Sequence, residues 1–172
     1  MEPRSEMSES NEINLIVNIK LAFEGRKLPT VLTTSKQMSP NELDDLRFIS
    51  RLSWGETTCE IWEKYFDVPS CFSPEAFCYY LPGILKATTE EKQPNLIVVS
   101  SIINDLDRSP NREGWDVLFL ERWPLLTMKE LCVVQDWLWW LSSFDKISHS
   151  DSSLMRALQT LELLAEERIS MG

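Results

Sequence analysis

Residues 127–144 read TMKELCVVQDWLWWLSSF, and this stretch decides the fold. Thr127 and Glu130 have the spacing of a capping box, which marks the start of a helix. The apolar residues recur at helical spacing in two adjacent stripes, Leu131, Val134, Leu138 and Leu141 in one and Val133, Trp137, Trp140 and Phe144 in the other. A helix that is apolar over most of its circumference needs neighbours on several sides. We therefore expect residues 127–144 to form the central helix of a bundle.

Helix signals recur before this segment. Ser39-Pro40-Asn41-Glu42 and Ser73-Pro74-Glu75 each combine an N-cap serine with a proline in the first turn. Glycine, which turn-rich all-β proteins use often, occurs only 5 times in 172 residues. The pattern predicts an all-α, single-domain helical bundle of about six or seven helices over residues 11–170, preceded by a flexible N-terminus over residues 1–10.

The first helix is predicted from about Asn11 to Phe23, with Gly25 ending it. One face of this helix is largely apolar, and we expect it to point into the core. The predicted inward stripe consists of Ile13, Ile16, Val17 and Lys20 or Leu21.

Residues 95–106 read NLIVVSSIINDL and allow two structures. The β-branched residues would suit a buried strand. Leu96, Val99, Ile103 and Leu106 keep the helical period, however, and no convincing second strand is present to pair with. The segment is predicted to be a helix.

The charge balance excludes two classes of partner. The net charge is −10, and the acidic residues are spread along the chain rather than gathered in a tail. Nucleic acids and anionic membranes need basic patches, so neither is an expected partner. A basic protein is an expected partner, because opposite charges steer association.

Four cysteines without a CxxC pair indicate free thiols in a reducing compartment. The N-terminus lacks the features of a signal peptide, and no apolar run approaches the ~20 residues of a membrane span. The protein is expected to be cytoplasmic.

The residue types that support catalysis are sparse. His149 is the only histidine and falls in a polar turn, where we expect it to be exposed. One histidine and scattered cysteines do not provide the roughly four ligands of a zinc site. Asp105 and Asp107 lack the further oxygen ligands of a calcium loop. We predict no catalytic residues, no cofactor and no metal, so the protein is not expected to be an enzyme.

Two aromatic residues bear on a protein interface. Tyr80 belongs to an apolar stripe, so the adjacent Tyr79 is expected to be exposed and available to a partner. Trp139 lies on a different face of its helix from Trp137. Either that helix is enclosed on all sides or Trp139 faces a partner, and burial is the more frequent outcome for a large aromatic residue.

The predicted partner-binding residues combine Tyr79 with the acidic outer faces of the helices near residues 40–67. They are Asp44, Asp45, Glu56, Glu60, Glu63, Asp67 and Tyr79.

Residues 72–85, FSPEAFCYYLPGIL, contain a distinct motif that we expect to be structural. Its residues are Ser73, Pro74, Glu75, Tyr80 and Pro82. The carboxylate of Glu75 is expected in the first turn of a helix, where the positive end of the helix dipole stabilises it. Pro82 must kink or end that helix.

This motif resembles the signature of a family of small bacterial proteins of unknown function. The similarity extends to the placement of Gly25 and of Leu126-Thr127-x-x-Glu130. Small acidic proteins of this kind are similar to the immunity proteins encoded beside secreted bacterial toxins. The resemblance implies a cytoplasmic inhibitor that masks a basic toxin, a nuclease effector of a type VI-like secretion system. The alternatives are a small enzyme that uses carboxylates or a metal, and a housekeeping adaptor or self-associating protein, such as a homodimer.

Overall fold

The computed structural model describes the backbone of residues 3–172 and the side chains of residues 8–172. The α-helices are α1 (Pro3–Phe23), α2 (Pro40–Ser50), α3 (Cys59–Lys64), α4 (Val68–Cys71), α5 (Pro74–Glu90), α6 (Ile97–Leu106), α7 (Val117–Arg122), α8 (Met128–Ser142) and α9 (Asp151–Met171). Single 3-10 turns lie at Trp54–Glu56, Arg112–Gly114 and Trp123–Leu125. No strand occurs in the described backbone, so the predicted all-α class is confirmed.

The predicted caps set several helix starts. Ser39 with Glu42, and Thr127 with Glu130, form complete capping boxes. Ser73 Oγ accepts the amide of Ala76 at 3.1 Å and donates to the Val31 carbonyl at 2.7 Å. This serine therefore starts α5 and also fixes the connector that follows α1. The helix count exceeds the prediction because α4 and α7, with only 4 and 6 residues, are too short to show a helical period.

The helix enclosed on all sides is α5 rather than α8. Every residue from Ala76 to Leu85 is buried. α1 packs against α5 and α8, and α9 packs against α6 and α8. α8 buries one broad face and leaves Cys132, Asp136 and Trp139 exposed, so the predicted central position of α8 was wrong.

α1 differs from its prediction in two respects. It begins at Pro3, so the predicted flexible segment is helical from that residue on; the rest of that segment lies outside the described residues. Its buried apolar residues are Leu15, Ile19 and Phe23. The predicted inward stripe was wrong, because Ile13, Val17 and Leu21 are 62%, 47% and 58% exposed. Both sets have the same helical spacing, and only packing against α5 and α8 distinguishes them.

Two uncertain segments are resolved. α6 is helical, as predicted, and buries Val98, Val99, Ile102, Ile103 and Leu106. α5 continues through Pro82 to Glu90, which excludes termination at the proline. No helix in the described part of the chain is both long and apolar enough to cross a membrane.

Candidate interaction surface

Trp139 stands on the outer face of α8 and is 51% exposed. The expectation that it would be buried was wrong, because α1 covers only one flank of α8. Asp136 and Cys132, which lie about one and two turns before it, are exposed on the same face of the helix. A half-exposed tryptophan on a rigid helix has the amphipathic character that protein interfaces use as an anchor.

A groove of about 600 Å³ runs beside Trp139, between α1 and α8. The α1 wall carries three asparagines, Asn11, Asn14 and Asn18. The α8 wall carries Asp136 and Trp139. Partial burial raises the pKa of Asp136 above its ordinary value. The groove therefore combines amide donors and acceptors with one carboxylate and the indole rings of Trp139 and Trp140.

The two walls are joined by a polar contact. The indole Nε1 of Trp140 donates to Glu12 Oε1 at 3.1 Å, and the other oxygen of Glu12 lies 3.3 Å from Lys92 Nζ. The side chain of Glu12 is buried although it is charged. This contact fixes α1 against α8 and so fixes the position of the asparagines relative to Trp139.

The outer face of α1 carries the α1 stripe, which we define as Ile13, Val17 and Leu21. The three side chains recur at intervals of four residues and are all exposed. Exposed apolar residues are ordinary when scattered, but three in one row form an apolar strip with no covering element in the described structure.

One edge of the α1 stripe is acidic. Glu9 and Ile13 line a shallow cavity together with Glu90, at the end of α5. The adjacent Glu91 accepts the backbone amide of Cys59 at 2.8 Å, which joins this edge to the start of α3. We call the carboxylates of this edge and of the adjoining helix α3 the acidic flank: Glu9, Glu90, Glu91, Glu60 and Glu63.

Cations neutralise only part of the acidic flank. Lys86 Nζ lies 2.9 Å from Glu90 Oε2, and Lys92 pairs with Glu12. Burial raises the pKa of the Cys59 thiol to about 12, and the negative charges of Glu91 and Glu63 add to that shift. The field at the start of α3 is therefore negative.

The structure separates the predicted partner-binding residues into two groups. Glu60 and Glu63 belong to the acidic flank. Asp44 is tied to Arg47 Nη1 at 3.3 Å, and Glu56 closes a capping box on Ser53. Asp45 is half-buried, and Asp67 is exposed between α3 and α4.

The prediction for Tyr79 was wrong, because only 7% of this residue is exposed. Its ring packs edge-on against Tyr80, with the ring centres 4.9 Å apart. α5 is enclosed on both of the faces that these neighbours occupy, so neither tyrosine is available to a partner.

Two residues of the motif at residues 72–85, Tyr80 and Glu75, lie where α5 meets other parts of the fold. The hydroxyl of Tyr80 lies 3.1 Å from the Ile49 carbonyl and 3.0 Å from the Leu52 carbonyl, so it caps the end of α2. Burial raises the pKa of Tyr80 above its ordinary range. Glu75 stands with Gly25, Thr127 and Glu130 around one cleft, so the segments that carry the family resemblance meet in space. Sequence reasoning missed Arg26, which lies in this cleft and binds Glu130.

The described residues offer little for catalysis. Among them, no group of three histidine, cysteine, aspartate or glutamate side chains is placed to hold a metal ion. His149 is half-buried, not exposed as expected, and its Nε2 lies 3.3 Å from Ser100 Oγ. Burial lowers the pKa of His149 and raises that of the Cys78 thiol to about 12. Burial therefore disfavours the imidazolium at His149 and the reactive thiolate at Cys78.

Comparison with known proteins returned nothing: no family model, no curated protein and no solved structure matches this chain. The resemblance therefore depends only on the motif at residues 72–85 and on the placement of Gly25 and of Leu126-Thr127-x-x-Glu130. The interaction surface is the feature of the structure from which a function has to be argued.

Proposed function

We propose that this protein is a cytoplasmic immunity protein that binds a basic secreted bacterial toxin and neutralises it. The observation that carries the proposal is the exposed Trp139, which lines the groove against α1, the helix that also exposes the α1 stripe and, at the edge of that stripe, the acidic flank. An apolar strip with an acidic edge fits a partner that presents apolar side chains beside lysines and arginines.

The acidic flank, Trp139 and the asparagines of the groove contribute differently to binding in this proposal. The acidic flank and the net charge of −10 steer the basic partner and raise the association rate. Trp139 enters a pocket on the partner and slows dissociation. The asparagines of the groove hydrogen-bond polar groups around that anchor.

The partner class follows from two sources. Its basic character is inferred from the charge of this surface. Its nature as a toxin, a nuclease effector of a type VI-like secretion system, is inferred from the resemblance of residues 72–85 to small bacterial proteins of the immunity type. A bound protein of this size would block either access of nucleic acid to the toxin or assembly of the toxin.

The test is affinity purification of the tagged protein from its own cells, followed by mass spectrometry. The expected result is one basic protein at equal stoichiometry that is toxic when expressed alone and harmless when co-expressed. Trp139→Ala should weaken that complex by at least about 2 kcal/mol, the usual threshold for an anchor residue. Ile169→Ala, which truncates an exposed apolar residue of α9, is the matched control and should leave binding unchanged.

Charge variants test the steering role. Glu60→Lys with Glu63→Lys should lower the association rate and flatten its dependence on salt. The same double reversal at Glu162 and Glu166, on the exposed side of α9, gives the control for net charge alone.

Three outcomes would contradict the proposal. A partner that binds Trp139→Ala as tightly as the natural protein would exclude this face. A protein that elutes alone would remove the inhibitor assignment. A homodimer that dissociates on Trp139→Ala would assign the same face to self-association instead.

A further inference from the structure

A second cavity, of about 360 Å³, lies among α4, α5, α6 and α7. Its lining includes no residue of α1 or α8, so it is distinct from the interaction surface. This volume falls at the small end of the range of small-molecule sites, which begins at about 300 Å³.

The cavity contains a buried arginine. Arg122 is 4% exposed and lines the cavity wall. Its Nη2 donates to the carbonyls of Ser70 and Phe72, at 3.2 and 2.9 Å. The guanidinium carbon lies 4.8 Å from the centre of the Phe77 ring. The Nε atom is buried and has no hydrogen-bond partner among the described residues.

Arg122 forms no ion pair with a side-chain carboxylate of the described structure, although the negative charge of Asp105 partly offsets the effect of burial on its pKa. None of the ion pairs among the described residues includes it. Asp105 also lines the cavity, but it accepts Trp123 Nε1 at 2.6 Å and Arg108 Nη2 at 3.2 Å. Burial lowers the pKa of Arg122, because the charged form loses its hydration without gaining a paired counter-charge.

The other walls of the cavity are largely apolar. Phe77, Val98 and Ile102 are buried along its sides. Phe66, Ile97 and Leu118 stand at its rim and are 42%, 46% and 46% exposed. An apolar body entering here would therefore cover exposed side chains and bring its polar end toward the guanidinium.

We infer that this cavity binds a small monocarboxylate with an apolar body. The carboxylate pairs with Arg122, whose guanidinium geometry suits a carboxylate, and the apolar body lies against Val98 and Ile102. A single charge is specified because Arg122 is the one basic residue among the described residues that line the cavity, so a second negative group would face Asp67 and Asp105 without a cation to pair with.

The probe is octanoate, compared with octanol and octylammonium of the same chain length. Saturation-transfer NMR and calorimetry on the full chain at neutral pH measure binding. We expect octanoate to bind, and octanol and octylammonium to bind at least about tenfold more weakly, because only the carboxylate pairs with a buried charge. Equal binding of octanoate and octanol, or no binding of octanoate, would overturn the inference.

The location is tested without altering Arg122, whose hydrogen bonds also hold α4. Ser101→Trp places a large side chain at the cavity from an exposed position on α6, and should abolish octanoate binding. Ser142→Trp, at an exposed position on α8, is the matched control and should leave binding unchanged. Octanoate binding that survives Ser101→Trp would overturn the assignment to this cavity. None of these results depends on the toxin partner.

Discussion

Arg26 and Glu130 form a bidentate ion pair that joins the end of α1 to the start of α8. Arg26 Nε lies 2.8 Å from Glu130 Oε1, and Nη2 lies 2.7 Å from Oε2. The Glu130 side chain is 3% exposed and also accepts the backbone amide of Thr127 at 2.8 Å. The hydrogen bond with Glu130 raises the pKa of Arg26, although burial opposes that shift. One carboxylate thus closes a helix cap and holds a second helix.

Glu130→Gln should destabilise the protein by about 3 kcal/mol, because it leaves a partly buried guanidinium without its counter-charge and weakens the cap. Urea unfolding followed by tryptophan fluorescence measures the free energy of unfolding. Combining Arg26→Met with Glu130→Gln should recover part of the loss, because the unpaired charge is then removed. A strictly additive double variant would contradict the importance of the pair.

The 3-10 turn at Trp54–Glu56 packs closely against α5 at Gly83. A Cβ built there would lie 2.7 Å from the Trp54 carbonyl oxygen and would collide with Thr57 Oγ1. Gly83→Ala should therefore destabilise the protein by about 1–3 kcal/mol, although alanine is the better helix former. Thermal and urea unfolding measure the effect.

Gly55 provides the control for that substitution. It lies in the same turn, and a Cβ there would meet nothing within 4 Å. Gly55→Ala should leave stability unchanged or raise it slightly, by up to about 1 kcal/mol. Equal effects at Gly55 and Gly83 would show that the close approach does not limit packing.

The sequence was sufficient to predict those helices that depend on local interactions. The capping boxes at Ser39 and Thr127 and the helical period of residues 96–106 predicted real helices, because these interactions lie within one turn. Which face of a helix is buried depends on its neighbours. Packing overturned the predicted inward stripe of α1 and the predicted exposure of Tyr79, whereas Tyr80 is buried as predicted.

The candidate sites likewise combine residues that the sequence reveals with an arrangement that depends on packing. Acidic residues such as Glu60 and Glu63 are visible in the sequence, but Glu90 and Glu91 join them only because α5 ends beside the start of α3. Trp139 is exposed because α1 covers one flank of α8. The Arg122 cavity has no sequence signal, since its wall comes from four helices and its significance lies in the carboxylate that Arg122 lacks.

Asp107 links the end of α6 to α9 through Arg156, and this contact makes stability depend on pH. Arg156 Nη2 lies 3.0 Å from Asp107 Oδ2, and the hydrogen bond with Arg156 lowers the pKa of Asp107 in the folded state. A lowered folded-state pKa adds stability that is fully present above the unfolded value, about 3.9 for aspartate, and is lost as the pH falls through the folded value.

Asp107→Asn should therefore lower the free energy of unfolding by about 0.5–1 kcal/mol at neutral pH, with the difference shrinking below about pH 4. Urea unfolding at a series of pH values measures it. Glu162→Gln, on the exposed side of α9, should change stability by less than about 0.5 kcal/mol throughout. A difference for Asp107→Asn that persists at low pH would assign its effect to packing rather than charge.

Native-state alkylation should rank the four cysteines and map the interaction surface. Cys59 and Cys78 are 1% and 0% exposed, and burial raises the pKa of both thiols to about 12. At pH 8 only about one in ten thousand of such thiols is the reactive thiolate. Iodoacetamide followed by mass spectrometry should therefore modify Cys132, which is exposed, before the half-buried Cys71, and should modify Cys59 and Cys78 only when the chain unfolds. Because Cys132 lies on the same face of α8 as Trp139, the partner proposed above should protect it on binding, while Cys71 reacts as before. Modification of Cys132 at an unchanged rate in the complex would place the partner elsewhere.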